Sequence, residues 1–165
     1  MSGLLSRIPI SFDFENKRNV ITSILSGFLF ATGWWFAIDI SVLYGGTSDY
    51  MPIFHICGAF STISMIMLNM VTNDHLEGGD TVGGCCGSVG AKVWFFSGFV
   101  MAFGALIGAG WIFFGEYMLN SELNTFKPST NYPGFGFFAQ NFLIFIASLT
   151  YRFGRSASYE SSFLY

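Results

Sequence analysis

The sequence predicts an all-α integral membrane protein, a bundle of four transmembrane helices with both termini in the cytosol. Only 10% of the residues are charged, whereas soluble domains have about 25%. In addition, 52% of the residues are hydrophobic, and they gather into four long stretches. Each stretch approaches or exceeds the length at which a helix crosses a hydrocarbon core of about 30 Å.

The first predicted span covers residues 20–44 and contains one charge, Asp39. As a helix it would be about 37 Å long, enough to cross the membrane. The connection that follows, GGTSDY, is short. We therefore expect span two, residues 52–71, to pack beside span one as its antiparallel neighbour.

Spans three and four are predicted at residues 91–114 and 134–151. The intervening residues 72–90 are rich in glycine and acids, which is typical of a loop. In span three, Trp94 and Trp111 would lie about 25 Å apart, close to the separation of the two membrane interfaces. Trp34 and Trp35 are further candidates for interfacial aromatic residues.

The basic residues predict the orientation of the spans, because cytosolic loops are enriched in Lys and Arg. Of the seven Lys and Arg residues, one lies in the loops on the opposite side, and the others belong to the termini and the middle loop: Arg7, Lys17, Arg18, Lys92, Arg152 and Arg155. Residues 1–19 are expected to form a cytosolic or interfacial segment, either a partly ordered tail or a surface helix, and residues 152–165 a cytosolic tail. No cleaved signal peptide is expected. No basic run indicates nucleic acid binding.

Asp39 and His55 are the candidate polar pair within the membrane. Both lie near the non-cytosolic end of the first two spans, so a hairpin would bring them to similar depth. A charge in hydrocarbon is costly unless it is paired or hydrated. Three alternatives remain: a structural clamp, a ligand or proton-linked role, and no contact between the two side chains.

Small residues are candidates for helix packing, because they let two backbones approach closely in lipid. Gly104 and Gly108 have the GxxxG spacing, and Gly27 and Gly33 occupy span one. The GxxxG face could pack within the bundle or bind a partner subunit. The amides of Asn69, Gln140 and Asn141 are candidates for hydrogen bonds between helices.

No catalytic residues, metal ligands or cofactor are predicted. The chain has two histidines and no nucleophile and base at a recognisable spacing. Cys85 and Cys86 precede span three on the predicted cytosolic side, where reversible palmitoylation and unmodified thiols are both open. Cys57 lies inside span two, and no CxxC spacing supports a zinc site.

Four segments resemble the transmembrane protein 50 family, also called small membrane protein 1, whose fungal relative is vacuolar protein sorting 68. They are TGWWFAIDISVLY (32–44), HICG (55–58), GAKVWFFSGFVMAFGALI (90–107) and YPGFGFFAQNFLIF (132–145). The resemblance implies a four-span endomembrane protein without enzymatic activity or cofactor. It also implies a role in sorting from the late endosome to the vacuole, beside a second small membrane protein. The shared residues mark a structural feature: Gly33, Trp34, Trp35, Asp39, His55 and Gly58.

We therefore expect a non-catalytic accessory or scaffold subunit of an endomembrane complex, in the endoplasmic reticulum, Golgi or late endosome. Its partners would be other integral membrane proteins and membrane lipids. One alternative is an auxiliary subunit of a lipid-transfer or lipid-scrambling complex at the endoplasmic reticulum. A second is an oligomeric channel or proton-linked carrier, for which Asp39 would have to face a hydrated cavity.

Overall fold

The computed structural model describes residues 10–71, 87–119 and 128–154, with side chains from residues 17, 89 and 128 onwards in the three segments. The four long helices are α1 (Ile10–Tyr44), α2 (His55–Met70), α3 (Gly87–Trp111) and α4 (Tyr132–Gly154). A 3-10 turn, Pro52–Phe54, leads into α2, and a π-helical segment, Ile112–Met118, continues α3. These three segments contain no strand.

Four helical stretches are long and apolar enough to cross a membrane: Lys17–Tyr44, Pro52–Met70, Val89–Met118 and Tyr132–Gly154. Their ends lie within a few residues of the predicted spans. The all-α fold with four membrane-spanning helices is therefore confirmed.

Helix α1 begins earlier than the predicted first span. It starts at Ile10 and has 35 residues, a length of about 52 Å. Residues 10–19 thus continue the first span as one helix, while residues 1–9 lie outside the described part of the chain.

The last helix, α4, is the centre of the bundle. It packs against α1, α2 and α3, whereas α1 and α2 have hardly any contact with each other. In α4, 44% of the spanning residues are buried, compared with 22% in each of the other three spans. The prediction that the first two spans pack side by side is therefore wrong, because α4 lies between them.

The connection between α1 and α2 closes around a side chain of α4. Phe137 is fully buried, and its ring lies 6.2 Å from that of Tyr50, 5.7 Å from Phe54 and 5.0 Å from His55, measured between ring centroids. Because these aromatic residues of the connection and of the start of α2 pack on Phe137, α2 begins on α4, and along its length it has hardly any contact with α1.

Glycines allow α1 and α2 to approach α4 closely. A Cβ atom on Gly33 would lie 3.1 Å from the carbonyl oxygen of Gln140, and one on Gly136 would collide with the side chain of Ile40. A Cβ on Gly58 would overlap the side chain of Gln140. These positions require glycine, since any side chain would push the neighbouring helix outwards or displace Gln140.

The four glycines predicted to pack have different environments. Gly33 makes the close approach just described, and a Cβ on Gly108 would make ordinary contact with the Cys57 sulfur at 3.5 Å. Gly27 and Gly104 have nothing within 4 Å of a Cβ position. These two glycines lie on the outer surface and make no close contact inside the bundle, so that packing against a partner subunit stays a prediction for them.

Hydrogen bonds at one end of the bundle bring the first half of α1 beside the end of α4. The Thr22 hydroxyl donates to the Gly154 carbonyl at 3.4 Å, and the Arg152 guanidinium donates to the Val71 carbonyl at 2.8 Å. The described ends of the first and last helices therefore lie on the same side of the bundle. That this side faces the cytosol stays a prediction from the distribution of Lys and Arg.

Candidate functional site

Polar side chains of α4 connect it to both neighbouring helices in the core. Asn141 and Ser148 are almost fully buried, at 0% and 2% exposure. The Ser61 hydroxyl of α2 donates to Asn141 Oδ1 at 2.5 Å, and the Ser26 hydroxyl of α1 donates to the Ala147 carbonyl at 2.8 Å. Each such bond between membrane helices contributes about 0.6 kcal/mol on average. These contacts fix the register of α1 and α2 against α4.

Not every buried polar group of α4 is hydrogen-bonded: the Ser148 hydroxyl has no partner among the described residues, and Gln140 is a larger group of the same kind. It has 0% exposure, and both polar atoms of its side chain lack a hydrogen-bond partner among the described residues. Its side chain lies against Gly58, and its backbone carbonyl lies against Gly33. The Gln140 amide therefore occupies the space beside Gly58 that a Cβ atom would need. Its nitrogen and oxygen are buried there without hydrogen-bond partners, which costs free energy.

Asp39 has a different partner from the predicted one. The Tyr132 hydroxyl at the start of α4 donates to Asp39 Oδ2 at 2.7 Å. The Tyr132 ring also packs against Tyr44, with 5.9 Å between the ring centroids. Asp39 is half-buried, so the carboxylate lies at the rim of the bundle. The structure thus shows a hydrogen bond that links the end of α1 to the start of α4.

His55 belongs to a second polar group beside Asp39. Its Nε2 lies 2.8 Å from the Tyr50 hydroxyl and 3.1 Å from the Ser41 hydroxyl, which donates to the Ala37 carbonyl at 2.7 Å. The predicted direct pair of Asp39 with His55 is not formed. The reason is helical geometry: positions 39 and 41 are about 200° apart around α1, so Ser41 faces α2 and Asp39 faces Tyr132.

A third polar group joins the two connections at this end of the bundle. Asp49 accepts hydrogen bonds from the hydroxyl and from the backbone amide of Ser129, the latter at 2.8 Å. The Tyr117 hydroxyl donates to the Asp49 backbone carbonyl at 3.0 Å. Hydrogen bonds from the Ser129 hydroxyl and amide hold the pKa of the Asp49 carboxyl below its ordinary value. No sequence pattern predicts this group, because Asp49 and Ser129 are distant in the chain.

The predicted interfacial tryptophans lie mostly on the outer surface. Trp35 is 70% exposed, Trp94 48% and Trp111 76%, whereas Trp34 is half-buried. Exposure on the outside of a membrane-spanning bundle is compatible with contact to lipid or to another protein. Their depth in the membrane stays a prediction.

One face of α1 combines small residues with exposure. Ser23, Gly27 and Ala31 follow each other at intervals of one helical turn, and all three are exposed. Gly33, which packs against α4, lies on the opposite side of the helix. We call Ser23, Gly27 and Ala31 the outer small-residue face. Its three small residues are separated by four positions each, the spacing that allows close helix contacts in membranes.

In the part of the chain that the structure describes, the cysteine and the possible metal ligands give no indication of a reactive centre. Cys57 is a half-buried free thiol. Among the described residues, no group of three or more His, Cys, Asp and Glu side chains could hold a metal ion. Cys85 and Cys86, the candidate palmitoylation sites, lie outside the described residues. The absence of metal, cofactor and catalysis stays a prediction.

Comparison with known proteins identifies the family. Residues 3–160 match the family described as "Uncharacterised protein family (UPF0220)", which is the transmembrane protein 50 family. The chain is 28% identical over 134 residues to the Transmembrane protein 50 homolog of Dictyostelium discoideum, an alignment that covers 76% of this chain and 83% of the relative. No solved structure matches the chain. With four membrane-spanning helices and a family match along nearly its whole length, the chain is a multi-pass membrane protein that belongs to the UPF0220, or transmembrane protein 50, family.

Proposed function

We propose that this protein is a non-catalytic accessory or scaffold subunit of an endomembrane complex, which binds another integral membrane protein through the outer small-residue face of α1. Trafficking from the late endosome to the lysosome or vacuole is the process we assign to it, on the basis of the family resemblance. The described part of the chain contributes helix surfaces and structural hydrogen bonds, and the exposed helix surfaces are the part that binds the partner.

The observation that carries the proposal is the exposure of Gly27 on a helix whose other face is already packed. In lipid, apolar side chains gain little by leaving the bilayer for a protein surface, so helix association depends on close packing. The protein packs its own helices in this way, as Gly33 and Gly136 show. Gly27 allows the same close packing with a helix outside the bundle, because nothing lies within 4 Å of its Cβ position.

Large apolar side chains flank this face and suit a helix as partner. Ile24 is 67% exposed and Phe28 68%, and Trp35 follows one turn after Ala31. A transmembrane helix lying on Gly27 would pack between these side chains, which form the sides of a shallow channel. The polar side chains at the rim support a structural role, since Asp39 and His55 both have partners within the bundle.

The test is affinity purification of the full-length protein from endomembranes in a gentle detergent, followed by mass spectrometry. The variant Gly27→Leu fills the face, and Ala59→Leu makes a matched change at an exposed position of α2. We expect integral membrane partners to be lost with Gly27→Leu and retained with Ala59→Leu. Equal recovery of partners with both variants would contradict the use of this face.

The identity of the proteins recovered tests the proposed process. Sorting factors as the main partners would support it. A large lipid-transfer protein as the main partner would replace it by an auxiliary role in lipid transfer. Recovery of further copies of the same chain alone would overturn the accessory function and favour an oligomer.

A further inference from the structure

A groove of about 400 Å³ lies between α1 and α2, because α4 separates these two helices. Phe30 of α1 forms one wall, Ile66 and Asn69 of α2 form the other, and Tyr151 of α4 contributes from the base. This volume falls in the range of about 300–1,000 Å³ that is typical of small-molecule sites. The lining belongs to membrane-spanning helices, so the groove is open to lipid from the side.

The groove has one polar end and one apolar end. Asn69 and Tyr151 lie close to the ends of α2 and α4, at Met70 and Gly154. Thr62 lines the groove about 10 Å deeper along α2, but its hydroxyl donates to the Gly58 carbonyl at 2.9 Å. The deeper part is therefore lined by apolar surface, and the polar part lies towards the membrane interface.

Asn69 leaves an acceptor without a partner at the polar end. Its Nδ2 donates to the Met65 carbonyl at 2.7 Å, which fixes the orientation of the amide. Its Oδ1 is shielded from solvent and receives no hydrogen bond from a described residue. Because Asn69 lines the groove, a ligand that donates a hydrogen bond, such as a hydroxyl, satisfies this oxygen once the side chains that shield it move aside.

The charges near the groove do not suit a phospholipid headgroup. Arg152, the residue after Tyr151, donates to the Val71 carbonyl, and its guanidinium lies 5.1 Å above the Phe95 ring of α3. Its charge is thereby directed towards α3. The residues that line the groove include no charged side chain.

We infer that this groove binds a membrane sterol, with its hydroxyl towards Asn69 and its ring system along Phe30 and Ile66. A sterol has one hydroxyl at the interface and a rigid apolar body in the same leaflet, which matches the two ends of the groove. The sequence supports this choice independently. Leu149, Tyr151 and Arg155 fit a pattern proposed for cholesterol contact, and Tyr151 is a lining residue, while Arg155 lies outside the described residues.

The experiment uses the full-length protein in phosphatidylcholine nanodiscs with a photoreactive cholesterol analogue. The variant Ile66→Trp fills the groove, and Ile63→Trp is the matched control, because Ile63 is exposed on the same helix but does not line the groove. We expect Ile66→Trp to reduce specific labelling about fivefold or more and Ile63→Trp to leave it unchanged. Equal labelling of the two variants would overturn the inference.

A second variant tests the hydrogen bond and remains informative if Ile66→Trp fails to fold. Asn69→Leu should weaken sterol binding about fivefold, the size of one net hydrogen bond. In the unchanged protein, excess cholesterol should compete with the probe, and cholestane, which lacks the hydroxyl, should compete about fivefold less. If cholestane competes as well as cholesterol, or if a phospholipid displaces the probe better than cholesterol, the groove is not a sterol site.

Discussion

The Tyr132 hydroxyl donates a hydrogen bond to the Asp39 carboxylate at 2.7 Å, and this bond joins the end of the first helix to the start of the last. Asp39 is the only charge in the predicted first span. Its partner lies 93 positions further along the chain. The carboxylate thus contributes to the contact between α1 and α4.

Removal of the Tyr132 hydroxyl should weaken this contact. Tyr132→Phe keeps the ring beside Tyr44 but leaves Asp39 without its donor, so we expect a loss of about 1 kcal/mol in unfolding free energy. The measurement is equilibrium unfolding of the purified protein in detergent micelles. Tyr44→Phe is the control, because the Tyr44 hydroxyl is not bonded to Asp39. Equal stability of Tyr132→Phe and the unchanged protein would show that water replaces the hydrogen bond.

Two glycines that look alike in the sequence should respond differently to the same substitution. Gly33→Leu forces a side chain against the Gln140 backbone and should cost about 1–3 kcal/mol or more, as overpacking does. Gly104→Leu places the same side chain in open space and should change stability by no more than about 0.5 kcal/mol. Thermal unfolding of both variants in the same detergent compares them. Similar losses of stability in the two variants would mean that α4 does not contact Gly33 closely.

Two neighbouring buried amides of α4 should have opposite effects when they are made apolar. Gln140→Met removes polar atoms that lack partners, so we expect it to raise stability by about 1 kcal/mol. Asn141→Leu leaves the Ser61 hydroxyl without its acceptor and should lower stability by about 1–3 kcal/mol.

A double-mutant cycle checks this interpretation. The coupling free energy between Ser61→Ala and Asn141→Leu should be about 0.6 kcal/mol or more, since the two side chains share one hydrogen bond. The same cycle between Ser61→Ala and Gln140→Met serves as the control and should give little coupling. A destabilised Gln140→Met variant would indicate a bound water or ligand at the amide.

The contact between Asp49 and Ser129 should depend on pH. The pKa of Asp49 is lower in the folded protein than its ordinary value of about 3.9, because Ser129 donates to the carboxylate. The stabilisation is therefore fully present above about pH 4 and is lost as the pH falls through the folded pKa. The difference in melting temperature between the unchanged protein and Ser129→Ala should stay constant from about pH 5 to 7 and shrink below about pH 4. A difference that persists at lower pH would indicate that the carboxylate is not the group involved.

Part of the fold followed directly from the sequence. Length and hydropathy predict where a helix must span a membrane, because every backbone polar group in lipid has to be bonded within its own helix. The four spans were located in this way, and the family resemblance was carried by short motifs such as GWW and HICG. The start of α1 at Ile10 was missed, because a hydropathy limit marks the edge of the apolar run and not the end of the helix.

The helix contacts could not be predicted in the same way. A short connection favoured direct packing of α1 on α2, yet Phe137 draws the connection onto α4. The GxxxG spacing does not reveal on which side a glycine packs, so Gly33 and Gly104 could not be distinguished. Asp49 and Ser129 are separated by 80 positions, and no local pattern relates them.

The amino-acid sequence is sufficient to predict four membrane-spanning helices and membership of the transmembrane protein 50 family. Those properties depend on local composition and on short motifs. Three features are visible only in the folded molecule: α4 is the centre, Asp39 pairs with Tyr132 and not with His55, and a groove separates α1 from α2. The physical reason is that these features depend on which helix faces meet, and in lipid this is determined by the fit of small residues and a few hydrogen bonds between distant parts of the chain.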